Sequence, residues 1–167
     1  MPTTTAAPID PPVRSAEDLL RRLLDLLRDS RDIADLSRAR VRRAFEVDFE
    51  LDEGRLGFGE RLCRDWWSSI ELDPDGALGP SFELAFRPDC AGTFPSAAGI
   101  CAMDYDAFAA ELKAMGFEHE SLLGENGRVV HENFDRDGLS VIVHTRGEAD
   151  EPAGKRDHAC VMRVIVN

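Results

Sequence analysis

The residues best suited to chemistry in this chain are four cysteines, Cys63, Cys90, Cys101 and Cys160, and four histidines, His119, His131, His144 and His158. A zinc knuckle sets cysteines in C-x-x-C pairs, because two thiolates on one tight turn supply adjacent tetrahedral ligands. No two cysteines here have that spacing, so no metal centre is expected. If the thiols are oxidised, Cys90–Cys101 is the most natural disulfide, since it would close the irregular loop from Pro88 to Met103. Such a bond needs an oxidising compartment. The alternative is four reduced thiols acting as small apolar groups. His131-Glu132 begins like a zinc-protease motif, but position 135 is Asp and the segment alternates like a strand. The second ligand and the helix that would place it are both missing. A Cys–His nucleophile pair has no local support either.

Two further stretches fail on spacing. Gly147 to Arg156 ends in Gly-Lys-Arg without the pattern of a phosphate-binding loop. Asp73-Pro74-Asp75-Gly76 starts like a calcium loop but lacks the closing Glu, and reads as a turn. No catalytic residue, metal or cofactor is expected. The chain reads as non-enzymatic.

The 167 residues suit one domain with a sizeable core, and 43% hydrophobic against 31% charged residues is ordinary for a globular protein. The formal charge is -12, from 32 acids and 20 bases. Nucleic acid is an unsuitable partner, because its binding relies on clustered positive charge. A basic protein would instead be steered toward this surface. No apolar run of about eighteen residues offers a membrane span. The start, MPTTTAAPIDPP, has neither the basic nor the apolar part of a leader. That predicts a cytoplasmic protein, or a periplasmic one if a leader preceded Met1.

The elements that would position these residues follow from periodicity. Met1 to Arg14 reads as a disordered arm, and residues 15–167 as a single α+β domain. Ser15 opens a helix whose Leu19, Leu20, Leu23, Leu24 and Leu27 form a wide stripe, suited to its own domain or to a partner helix. A second helix is expected from Ser37 to Phe45. Alternation then predicts strands around Val47 to Leu51, Leu56 to Phe58, Trp66 to Leu72 and Phe82 to Phe86. The helix expected to organise the fold is Asp104 to Met115, capped by Asp104 and ended by Gly116, with Tyr105, Phe108, Leu112 and Met115 on one face. Strands around Val130 to Phe134 and Leu139 to Val143 flank an Asp137-Gly138 turn. The last, His158 to Val166, is apolar on both faces and so central or covered. The fold class is α+β: an antiparallel sheet with helices on one side. Gly54-Arg55 and Gly127-Arg128 hint at two α-β-β-β halves behind an extra N-terminal helix.

The C-terminal two-thirds resembles small bacterial immunity proteins that neutralise toxins delivered by secretion systems. The pattern that carries it is the helix ending in Gly116-Phe117, then Phe134, Gly138-Leu139-Ser140-Val141 and the closing Cys160-Val161-Met162-Arg163-Val164. The resemblance implies an inhibitor that binds one cognate toxin or effector, often by covering its active site. A secretion chaperone is the alternative, although such chaperones resemble a layout with a closing helix that is missing after Val166. A small-ligand binder or minor enzyme on the sheet's curved face is a third. The residues expected to meet a basic partner are Asp89, Thr93 and Phe94 in the irregular loop, and Asp135, Arg136 and Asp137 at the hairpin tip. Loops on a rigid scaffold commonly carry recognition.

Overall fold

The computed structural model describes residues 14–147 and 158–167. The expected N-terminal arm up to residue 13, and most of the polar loop from Arg146 to Asp157, lie outside them. Arg14 itself is held by an ion pair to Glu60 at 3.0 Å and by donation to the Glu46 carbonyl at 2.6 Å.

The described residues form three α-helices: α1 (Ala16–Arg28), α2 (Arg38–Phe45) and α3 (Tyr105–Ala114). Each starts where a short polar side chain can satisfy a free amide. Ser15 accepts from Asp18 N, Ser37 from Arg40 N, and Asp104 from Ala107 N. α1 buries more residues than either other helix, and Leu19, Leu20, Leu23 and Leu27 of its stripe are wholly enclosed. It packs on its own domain, so the fold centres on α1 as much as on α3. Arg21 pairs with Glu17 rather than with Asp25, which pairs with Arg28.

The strands are β1 (Glu50–Asp52), β2 (Arg55–Arg61), β3 (Trp66–Asp73), β4 (Ser81–Pro88), β5 (Glu118–Leu123), β6 (Val129–Arg136), β7 (Leu139–Gly147) and β8 (Ala159–Val166). They form one antiparallel sheet in the order β1-β2-β3-β4-β8-β7-β6-β5. The order is palindromic. α2 leads into β1 to β4 and α3 into β5 to β8, so each half holds four strands where the suggested α-β-β-β unit has three, and β5 is the strand not expected from the sequence. Gly54-Arg55 lies at the β1–β2 turn and Gly127-Arg128 at the β5–β6 turn, equivalent places in the two halves, with φ of +86° and +69° at the glycines.

One sheet face carries Trp66, Ile70, Leu72, Phe82, Leu84, Phe86, Phe134, Val141, Val143, Val164 and Val166, all in the core with the helix stripes. The other face is wet, and a ladder of Glu71, Glu83, Arg87 and Arg163 crosses it. That division is the alternation expected of an antiparallel sheet with one solvated side. β8 sits centrally between β4 and β7, which accounts for its apolar residues. Among the described residues no helix is long and apolar enough to cross a membrane.

Candidate functional site

Three groups of side chains stand out, and the first sits where the α3 N-terminus meets β8. A 3₁₀ turn, Ala97–Ile100, ends at Cys101, and three residues later Asp104 caps α3. An isolated antiparallel bridge between Asp104 and Cys160 ties this corner to the start of β8. Cys101 and Cys160 are joined by a disulfide with Cα atoms 5.0 Å apart. The expected Cys90–Cys101 bond is therefore corrected. Cys90 and Cys63 are free and exposed, because topology carries Cys101 to β8 instead of leaving it beside its loop neighbour. His158 lies against the disulfide, with Nδ1 3.9 Å from Cys101 Sγ, and its Nε2 is 2.8 Å from Asp104 Oδ2. The Ala107 amide, and after it the His158 ring, hold the Asp104 carboxyl below the usual carboxylate range.

A second group joins α3 to the outer hairpin. Glu132 is buried on β6, and its Oε2 takes His119 Nε2 at 2.7 Å together with the Ser121 hydroxyl. Tyr105 Oη is 3.2 Å from the same histidine nitrogen, and the His119 ring stacks on Phe134 at 4.7 Å. A buried carboxylate is costly without such partners. His131-Glu132, which begins like a protease motif, is thus part of a strand whose glutamate serves this network. Burial, with the Glu132 charge nearby, pushes the Tyr105 hydroxyl up to about 12. Tyr105 is the only tyrosine in the chain. Its phenolate absorbance should therefore titrate near pH 12 in the native protein and near pH 10 in denaturant. The folded state holds the proton more tightly, so stability should fall as pH rises from 10 through 12. A native midpoint at 10 would contradict the network.

The third group contains the residues expected to meet a partner, and the structure sorts them. Phe94 is 81% exposed, and the Arg146 guanidinium lies 5.9 Å from its ring while donating to the Pro95 carbonyl at 2.6 Å. Asp89 is on the surface but engaged by its own chain. Trp67 Nε1 and an Arg61 nitrogen each donate to its Oδ1 at 2.6 Å, which holds its carboxyl below the usual range. Thr93 closes a turn by donating to the Cys90 carbonyl. Asp135 and Asp137 are exposed beside a shallow hollow with Gly116, Glu118 and Gly138.

Arg136 is engaged by its own chain. Its guanidinium lies 4.4 Å over the Phe117 ring and donates to the carbonyls of Leu27, Ser30 and Met115. One side of the hairpin tip abuts the chain just after α1, while Asp137 stays exposed. Gly138 has φ +81°, and a Cβ there would stand 2.4 Å from the Arg31 carbonyl oxygen. Sequence reasoning missed both His158 and Asp104 as neighbours of a disulfide, since 54 residues separate them. No protein-family profile, curated protein or solved structure matches the chain.

Proposed function

We propose that this chain is a non-enzymatic inhibitor of the immunity-protein kind, binding one basic protein toxin or effector and occluding it. The observation that carries this reading is acidic charge left uncompensated at the outer hairpin. Glu118 on β5 stands directly opposite Asp135 on β6, and Asp137 follows at the tip. Like charges set opposite each other on neighbouring strands are destabilising. Among the described residues none of the three has an ion-pair partner. The adjacent Arg136 is committed to backbone carbonyls and neutralises none of them at contact distance. A basic surface placed here would gain from all three carboxylates. Exposed Phe94, held beside Arg146 near the far end of β7, lies outside this patch.

A second reading, a secretion chaperone, draws support from β5. That edge strand is exposed along its whole length, including its own Leu122 and Leu123, and Val129 and Val130 lie in the open beside it on β6. Exposed edges invite pairing with another chain. A chaperone of this kind would be a stable dimer.

Affinity purification from the source organism at moderate salt, with mass spectrometry of co-purifying proteins, separates the two. One stoichiometric partner that is toxic when expressed alone supports the inhibitor. A secreted partner that is harmless alone, bound to a dimer of this chain, replaces it with the chaperone. With the partner in hand, the Asp135→Lys/Asp137→Lys double variant should associate roughly tenfold more slowly at low salt, because complementary charge acts mainly on encounter. Its melting temperature should not fall, since the first substitution turns the repulsion across from Glu118 into an attraction. Unchanged association would remove the hairpin from the interface.

A further inference from the structure

We infer that in the dithiol state Cys101, Cys160 and His158 form a binding site for a borderline-soft divalent metal, zinc above all. One ligand atom from each residue lies within 4.8 Å of the other two. Two thiolates and an imidazole are the donor set that zinc favours, and their two negative charges match the ion. Three protein ligands leave one tetrahedral position for water or an external donor.

The imidazole is already set for the task. Asp104 Oδ2 accepts from His158 Nε2 at 2.8 Å, which fixes the proton there and turns the Nδ1 lone pair toward Cys101 Sγ, 3.9 Å away. Metal-bound histidines nearly always donate their second nitrogen to a carboxylate or carbonyl in this manner. The supports are rigid. Asp104 is pinned as the α3 cap and by its bridge to Cys160, and Cys160 belongs to a central strand. Both sulfurs are buried while His158 is half-exposed, so an ion would enter from the histidine side.

The disulfide and the metal exclude each other. A small dithiol must first deliver two electrons and two protons, ending as its own disulfide and leaving Cys101 and Cys160 as thiols. The metal then displaces the two thiol protons. The sulfurs, bonded in the oxidised chain, must part to roughly 3.8 Å, the span set by two Zn–S bonds of about 2.3 Å. Oxidation therefore expels the ion and reduction readmits it.

The test titrates Co²⁺ anaerobically into the full chain after reduction with dithiothreitol and removal of the reagent. The expected result is one equivalent bound, with thiolate-to-cobalt charge-transfer absorbance that Zn²⁺ abolishes by displacement. The oxidised chain should show none. His158→Ala keeps both thiols and should weaken binding at least tenfold. Asp104→Asn retains a capping oxygen and should weaken it about tenfold, the range seen for such supporting carboxylates. The Cys63→Ser/Cys90→Ser variant should bind as the parent does. Circular dichroism of each reduced variant confirms the folded state before titration. No charge-transfer band in the folded, reduced parent would overturn the site. So would a band that survives Cys101→Ser/Cys160→Ser, is unaffected by His158→Ala, or disappears with Cys63 and Cys90.

Discussion

The Cys101→Ala/Cys160→Ala double variant should be about 4 kcal/mol less stable than the oxidised parent in urea unfolding. The bond closes a loop of 59 residues, and chain-entropy reasoning gives roughly that value for a loop of this length. Both sulfurs are buried, so their removal also leaves a small unfilled space beside Val161 and the start of α3. For a chain of this size the loss corresponds to a melting point lower by roughly 8–16 °C. Reduction of the parent in a metal-free buffer should produce most of the same drop. An unchanged midpoint in both cases would mean that the corner is held without the bond.

Arg136→Ala should cost about 2–4 kcal/mol of stability. The guanidinium bridges the C-terminal end of α1 (Leu27, Ser30) to that of α3 (Met115), where carbonyls lack helical partners. Hydrogen bonds from a charged donor contribute more than neutral ones, and stacking on Phe117 adds to them. Arg136→Lys should recover little, because one ammonium cannot reach three carbonyls with a planar fork. Urea unfolding of the three proteins reads this directly. A Lys variant as stable as the parent would reduce the role of Arg136 to charge alone.

The disulfide and Arg136 also mark where the sequence stops being informative. The stripe of α1, the caps Ser15, Ser37 and Asp104, the alternation of β3, β4 and β7, and the run of β8 that is apolar on both faces are local patterns, and the structure follows them. β5 is different. All six of its residues are exposed at a sheet edge, so Glu118 to Leu123 has no apolar alternation to signal a strand. The same silence hides Arg136. Asp135-Arg136-Asp137-Gly138 has the composition of a solvated turn, and only the approach of two helix ends, more than a hundred residues away in one case, makes the arginine internal. The disulfide is likewise a product of topology. Cys101 meets Cys160 because β8 returns to the middle of the sheet, which no spacing between cysteines encodes. Phe94, Asp135 and Asp137 were legible as surface groups, whereas the hydrogen bonds that engage Asp89 and Thr93 depend on Trp67, Arg61 and a local turn.

The palindromic strand order bears on synthesis as well. β8 is translated after the other seven strands, yet it supplies the seam between the halves, pairing Phe82 to Ala85 on one side and Val141 to Gly147 on the other. While the ribosome is still making the second half, β4 presents an unpaired edge carrying Phe82 and Leu84. The nascent chain is then two incomplete sheets with sticky inner borders, and Cys101 has its permanent partner still to come. A delay before Val166 emerges therefore lengthens the interval in which the wrong strand or the wrong thiol can take that place.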